Sequence, residues 1–219
     1  MKTFHIITLF PETLEPYLHS SILGRAEKKK LIRFDLVQLR QFGEGRHKKV
    51  DDRAYGGGPG MVLQIEPIAK AVRKIELGIR NKELRTGTRE KKRTILFSTR
   101  GKIFNQKMAE RLGGYDHLIF ICGRYEGVDE RVAKHVADEE ISVGEFVLSG
   151  GELPALVVTD AVSRLIPGVL GKTESLEDVK GSYPVYSKPE MYEKHKVPKV
   201  LLSGDHKKIE EWRERYGDF

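Results

Sequence analysis

Runs of apolar, β-favouring residues alternate along the chain with segments whose apolar positions recur every three or four residues. TFHIITLF (Thr3 to Phe10) and LIRFDLVQL (Leu31 to Leu39) predict strands. Between them, Leu14 to Lys30 predicts a helix with Tyr17, Leu18, Ile22 and Ala26 near one face. Ile68, Ala71, Val72 and Ile75 give Pro67 to Ile79 the same helical spacing. Thr94 to Thr99 and His117 to Cys122 predict two further strands, the second followed by GRYEG and a charged helix from Val128. The stretch EFVLSGGELPALVV (Glu145 to Val158) opens on the apolar run Phe146, Val147, Leu148, which predicts a buried strand. It then turns through Ser149, Gly150 and Gly151 into a helix with Pro154 in its first turn. Such alternation predicts an α/β fold whose parallel sheet is flanked by helices on both faces.

The pattern weakens after Pro167. Residues 171–187 are polar and contain Pro and Gly, which predicts a linker or mobile loop. Asp205 is a candidate N-cap for a last helix that places Ile209, Trp212 and Tyr216 on one side. Two adjacent glycines at the mouth of a buried strand raise a separate question, because glycine is entropically costly unless the backbone turns unusually or something approaches it closely.

Composition narrows the function. The chain has 219 residues, with Lys plus Arg 39 against Asp plus Glu 32, a net charge of +7. This excess favours a polyanionic partner, although a basic soluble surface gives the same sum. Cys122, the one cysteine, sits in the apolar run LIFIC, so no disulfide framework or cysteine-based zinc site is available. Nothing in the sequence reads as a signal peptide or approaches membrane-spanning length, and the protein is expected to be cytoplasmic.

Two segments come near to phosphate-binding motifs and fail. AYGGGPGMV (Ala54 to Val62) has neither a Lys-Ser/Thr after its glycines nor the G-x-G-x-x-G register. GVLGKT (Gly168 to Thr173) ends correctly, but its first glycine is two residues too near and it follows a helix. No histidine pair has metal-ligand spacing. RNKELRTGTREKKR (Arg80 to Arg93) holds seven basic and two acidic residues; it is either a solvated loop or a rail for a phosphate backbone.

Four blocks point to a family. DDRAYGGGPGMV (Asp51 to Val62), ICGRYEGVDERV (Ile121 to Val132), SVGEFVLSGGELPALVVTDAVSRLIPGVLG (Ser142 to Gly171) and VPKVLLSGDHKKIEEWR (Val197 to Arg213) occur in unbroken order over nearly the whole chain. Together they resemble the bacterial tRNA (guanine-N1)-methyltransferases (TrmD) of the SPOUT class. That resemblance implies a deep C-terminal trefoil knot, an exception to the rule that chains do not thread their own loops. It implies three regions: a knotted S-adenosylmethionine-binding domain over 1–170, the linker over 171–187, and a small helical tRNA-binding domain over 188–219. The last is expected to be incomplete, because the chain ends short of the family's usual terminus. A homodimer, with each active site completed across the subunit interface, and dependence on Mg2+ are also implied. No Mg2+ ligands can be named from the sequence.

The resemblance further implies that S-adenosylmethionine binds against the backbone of Val143, Gly144, Glu145, Phe146, Val147 and Leu148, with Gly123 from the adjacent loop. Gly150 and Gly151 would let the chain turn beside the ligand. Tyr125 and, at the methionine end, Thr99 complete the expected cofactor site. Two departures stand out: Ala54 replaces a usual Pro, and Ser98, Thr99, Arg100 and Gly101 replace a Ser-Pro-x-Gly loop.

Guanine N1 carries a proton, so methylation there needs a base on N1, positive charge near O6 and in-line placement of the methyl group. Glu174, Glu177, Asp178 and Asp160 are all carboxylates in the right region, and residue chemistry alone leaves the choice open. The family alignment selects Asp178 as general base, Arg164 as the charge near O6 and Glu126 as a further catalytic side chain. Asp160, one turn before Arg164, gives that arginine a purely structural alternative as an i,i+4 partner. Two other functions fit the same sequence: a SPOUT methyltransferase acting on a different RNA, and a non-catalytic RNA-binding protein of the same fold.

Overall fold

The structure is a computed structural model that describes residues 1–170 and 183–216. Two compact units are distinguished, Met1–Val169 and Leu170–Phe219.

The first unit is built on a five-stranded sheet in the order β2-β1-β6-β5-β7, every pairing parallel. The strands are β1 (Lys2–Thr8), β2 (Ile32–Gln38), β5 (Lys92–Ile103), β6 (His117–Ile121) and β7 (Glu139–Ser142). Two short strands, β3 (Asp51–Asp52) and β4 (Val62–Leu63), pair antiparallel outside it. Alternation along the strands divides the core between the two faces. Phe4 and Ile6 of β1 and Leu118 and Phe120 of β6 face α1 (Glu15–Leu18), α2 (Ser21–Lys28), α4 (Gln106–Gly113) and α6 (Glu152–Arg164). Ile7, Leu96, Ile119 and Ile121 face α3 (Ile65–Thr86) and α5 (Glu130–His135). Each fully buried aliphatic or aromatic side chain contributes about 1.5–3 kcal/mol relative to exposure.

The predicted helix over Leu14 to Lys30 is two helices. The chain breaks at His19 and Ser20, and Gly24 packs so tightly on His19 that a β-carbon there would lie 2.2 Å from its carbonyl oxygen. The helix predicted over Pro67 to Ile79 runs on to Thr86, where Gly87, with φ of 70°, closes it by donating its N–H to the Glu83 carbonyl. The first half of the basic run Arg80 to Arg93 is therefore helical rather than loop. The largest correction concerns Phe146 to Leu148. The strand ends at Ser142, and the apolar run after it is loop, with Phe146 55% and Val147 86% exposed.

Polar groups inside this unit are tied together. On the α3 face, His5 Nδ1 lies 2.7 Å from Asp35, His5 Nε2 lies 3.0 Å from His117 Nδ1, and His117 Nε2 lies 3.0 Å from Glu90. Lys2 is buried, donating through Nζ to the carbonyls of Leu112 and Tyr115, and desolvation lowers its pKa from 10.5 to about 8.

In the second unit a hairpin pairs Met191–Tyr192 with His195–Lys196, and helices follow at Lys199–Leu202 and His206–Glu214. The purely helical character expected here is thus interrupted by a strand pair. Asp205 caps the last helix, accepting a hydrogen bond from the Lys208 N–H at 3.2 Å. Trp212 packs between Tyr186 and Tyr216, with ring centroids 6.3 and 4.9 Å away.

Candidate active site

Parallel strands leave their carboxyl ends on one edge of the sheet, and crevices at that edge are where open α/β sheets take ligands. Here the ends of β5, β6 and β7 and the loops after them enclose a cleft of about 360 Å³, within the range of small-molecule sites. Leu96 to Arg100 form one wall, Gly123 to Val128 another, and Glu140 to Gly144 with Phe146 to Gly151 the third.

The third wall is shaped by side chains bonding to backbone. Ser142 Oγ donates to the Gly144 carbonyl at 2.9 Å and accepts from the Gly144 N–H at 3.3 Å. This fixes the bend out of β7, and the Phe146 ring folds back against Gly144, where a β-carbon would meet it at 2.2 Å. The apolar side chains after the bend face solvent instead of core, an arrangement suited to covering a flat ligand.

The adjacent glycines serve two different neighbours. Gly151 has an ordinary φ of −82°, so conformational freedom does not explain it. A β-carbon there would lie 2.6 Å from Cys122 Cα, so what approaches this turn closely is the backbone at the end of β6. Its N–H donates to the Gly123 carbonyl at 3.0 Å, which fixes the start of α6 beside the cleft. At Gly150 the close neighbours are side chains, Arg124 and Glu152.

Glu152 does not line the cleft but holds Arg124, which does. Only 4% exposed, it accepts from Thr8 Oγ1 at 2.6 Å and from Arg124 Nε at 3.0 Å. As the first residue of α6 it also meets the positive end of the helix dipole. Arg124 is held further by the Phe10 ring, 4.7 Å from its guanidinium carbon. On the opposite wall Arg100 bonds Glu130 at 2.5 Å. Both cleft arginines are thus committed to carboxylates. The cleft's own acids are less well matched: among the described residues Glu126 forms no ion pair, and buried Glu140 Oε1 has no hydrogen-bond donor and only Arg100 at 3.9 Å. The local balance favours a ligand that carries positive charge.

Glu126 and its loop are braced by the glycine-rich segment that failed the phosphate fingerprints. Glu126 N–H donates to the Met61 carbonyl, and the Leu63 N–H donates to Gly127, each at 3.0 Å. Gly60, at φ +79°, lets this segment pass against the Glu126 side chain, where a β-carbon would lie 2.4 Å from Cγ. Next to it Tyr125 holds a left-handed φ of 61°, rare for an aromatic residue, and its hydroxyl accepts from Arg40 at 3.4 Å. Strained backbone of this kind concentrates at functional sites.

Of the residues expected at the cofactor site, Thr99, Gly123, Tyr125, Val143, Gly144, Phe146, Val147, Leu148, Gly150 and Gly151 line the cleft, as does Glu126. Glu145 does not. Arg164 does not either: it ends α6, twelve residues beyond Glu152 and about 18 Å away along the helix axis. No ion pair joins it to Asp160 among the described residues, so the i,i+4 alternative is not realised. Asp178, with Glu174 and Glu177, lies outside the described residues. Sequence reasoning missed Arg124, Glu140, Ser142 and Glu152. The signal for Ser142 and Glu140 was their place at the end of a strand, obscured by locating that strand too late.

The sequence model of the family described as tRNA (Guanine-1)-methyltransferase TrmD matches residues 1–217. The chain belongs to this family. A curated tRNA (guanine-N(1)-)-methyltransferase of Ruminiclostridium cellulolyticum is 45% identical over 215 residues, covering 96% of this chain and 88% of the relative. The Bacillus subtilis protein of that name is 46% identical over 214 residues, covering 95% and 84%. That of Dictyoglomus turgidum is 46% identical over 220 residues, covering 98% and 84%. No helix among the described residues is long and apolar enough to cross a membrane.

Proposed function

We propose that this protein transfers a methyl group from S-adenosylmethionine to N1 of the guanine immediately 3′ of the anticodon in tRNA. The observation that carries the reading is the cleft in a chain of this family. Its loop turns Phe146 and Val147 outward while its arginines are paired with carboxylates and Glu126 forms no ion pair among the described residues. S-adenosylmethionine, bound there, supplies a methyl group activated by a sulfonium. The main chain of Val143 to Leu148 would read the adenine edge, the exposed apolar side chains would cover its face, and Glu126 and Glu140 would lie toward the positive charge.

Asp178 is the base in this proposal. It would take the N1 proton, so that the N1 lone pair is free to accept the methyl group, which the bound donor would supply while keeping the neutral thioether as leaving group. Arg164 stabilises the negative charge that develops on O6. Since Arg164 is remote from the cleft of its own chain, the reading requires a second subunit to bring it there, which supports a homodimer. The region boundaries 1–170, 171–187 and 188–219, with a knot in the first and tRNA binding in the last, belong to the same proposal. In support of the knot, β7 lies on the far edge of the sheet, yet the chain then crosses back to Glu152, which bonds Thr8 of β1. Gly101 is also packed so closely on Ile141 that a β-carbon would lie 2.5 Å from its nitrogen. No group of three His, Cys, Asp or Glu side chains is arranged to hold a metal ion among the described residues. A dedicated Mg2+ cage is therefore not assigned, and no step is routed through the ion.

The test is methyl transfer from labelled S-adenosylmethionine to tRNA transcripts with and without guanine 3′ of the anticodon. Label should appear on N1 of that guanine and nowhere in the transcript lacking it. Equal labelling of both would assign the enzyme to another RNA site, and binding without transfer would make it a non-catalytic binder.

A further inference from the structure

A second concavity, of about 960 Å³, lies at the opposite end of β5, between the outer face of α3 and the segment that leads into the strand. Arg73, Glu76, Leu77, Arg80 and Glu83 recur on α3 every three or four residues and so form one stripe. Arg89 to Lys92 run beside them. Five of the lining side chains are basic and three are acidic.

The acids have been drawn to other partners. Glu76 is bonded by Lys92, and Glu90 by Lys82 at 2.6 Å and by His117 at 3.0 Å. Glu83 accepts the Glu90 backbone N–H at 2.7 Å. Arg73, Arg80, Arg89 and Lys91 form no ion pair among the described residues. The groove's cations outnumber its carboxylates by five to three, and these four carry no ion-pair partner of their own among the described residues, so the groove attracts anions. Arg73 and Arg80 stand two helical turns apart, about 10.5 Å along the axis, too far for one small anion to bridge along that stripe. A chain of phosphates meets this requirement, and guanidinium groups suit phosphate oxygens through paired donors.

We propose that this groove holds the phosphate backbone of the tRNA substrate at a part of the molecule away from the methylated base. The inference rests on the methyltransferase reading above. From Lys92 to Ser98, which lines the cleft, is six residues of strand, about 20 Å, so the groove contacts RNA that the cleft does not. Its role is affinity and orientation without sequence discrimination, as phosphate contacts generally provide.

The test compares the wild-type chain with the combined variant Arg73→Gln, Arg80→Gln, Arg89→Gln, Lys91→Gln, measuring tRNA affinity by fluorescence anisotropy over a series of salt concentrations. Each phosphate contact contributes about 0.7–0.9 to the slope of log affinity against log salt, so the variant's slope should be shallower by about three. Affinity at about 0.1 M salt should fall at least tenfold. Titration with S-adenosylhomocysteine and turnover at saturating tRNA should stay at wild-type values. An unchanged slope and affinity in the folded variant would overturn the proposal. If circular dichroism shows the fourfold variant unfolded, the pair Arg80→Gln, Arg89→Gln decides, with about half the slope change expected. Failure of the methyltransferase reading looks different: the wild type would then transfer no methyl group to tRNA, whatever the salt slope.

Discussion

Replacing Gly151 by alanine tests whether the turn into α6 is set by the fold or by the ligand. The new β-carbon lands 2.6 Å from Cys122 Cα and 3.1 Å from both Cys122 Cβ and the Gly123 nitrogen. Ordinary contact begins near 3.4 Å, and the closest of these neighbours is backbone at the end of a fully buried strand. The helix must therefore shift by most of an ångström. Overpacking of this kind costs about 1–3 kcal/mol, and loss of chain entropy in the unfolded state returns about 0.4–1, leaving a net loss of about 1–2 kcal/mol. For a chain of this size that lowers Tm by about 2–8 °C. Differential scanning calorimetry measures it. Gly150→Ala is the control, because its new β-carbon meets side chains, those of Arg124 and Glu152, and not backbone. It should disturb ligand binding more than Tm. A Gly151→Ala protein with wild-type Tm and weakened S-adenosylhomocysteine binding would refute the steric account and return the glycine to the ligand.

Lys2 sets a signature in alkali. Its folded pKa of about 8 lies below its ordinary 10.5, so between those values the unfolded chain binds more protons and stability rises with pH. Lys2→Met should flatten that rise in chemical denaturation measured at pH 8 and pH 10; an equal rise in both proteins would contradict it. Cys122 is fully buried, and its thiol is held well above the usual pKa, so it should react with a thiol reagent only as fast as the chain opens. Rapid labelling under native conditions would count against the described packing. Arg164→Ala should lower turnover by about 10²-fold with little change in Tm, the loss expected for one charge-stabilising donor. A parallel fall in Tm and turnover would make the residue structural.

The sheet was legible because burial on both faces writes long apolar runs, as in Phe4 to Leu9 and Leu118 to Cys122. The same rule misplaced the last strand. Phe146, Val147 and Leu148 have the composition of a core strand, but they line the cleft, and hydrophobicity does not say whether a side chain is turned to the core or to a cleft. β7 itself, Glu139–Ser142, has two carboxylates in four residues and was hidden by them. Glu139 is there because Arg93 and Arg111 both bond it, at 2.9 and 3.0 Å, a pairing that links three elements remote in sequence. Motif matching reached most of the cleft because its walls are local segments. It could not reach Glu152 and Thr8, whose contact spans 144 residues.

That contact explains how a cleft made of loops keeps its shape. The hydroxyl of Thr8, at the end of a central strand, fixes Glu152; Glu152 fixes Arg124; and the Phe10 ring limits where Arg124 can swing. Together these links tie the end of the first strand, through the start of α6, to the loop after β6, so the cleft walls inherit the rigidity of the sheet. Removing the carboxylate would leave Arg124 with the Ser149 carbonyl at 3.4 Å as its remaining polar partner among the described residues. Its charge would then stand uncompensated at the cleft wall. A positive guanidinium there repels a sulfonium but tolerates the neutral thioether left after transfer. On the proposed reading the Arg124–Glu152 pair therefore does more than hold α6 in place: by neutralising the guanidinium at the cleft wall it favours the methyl donor over the demethylated product.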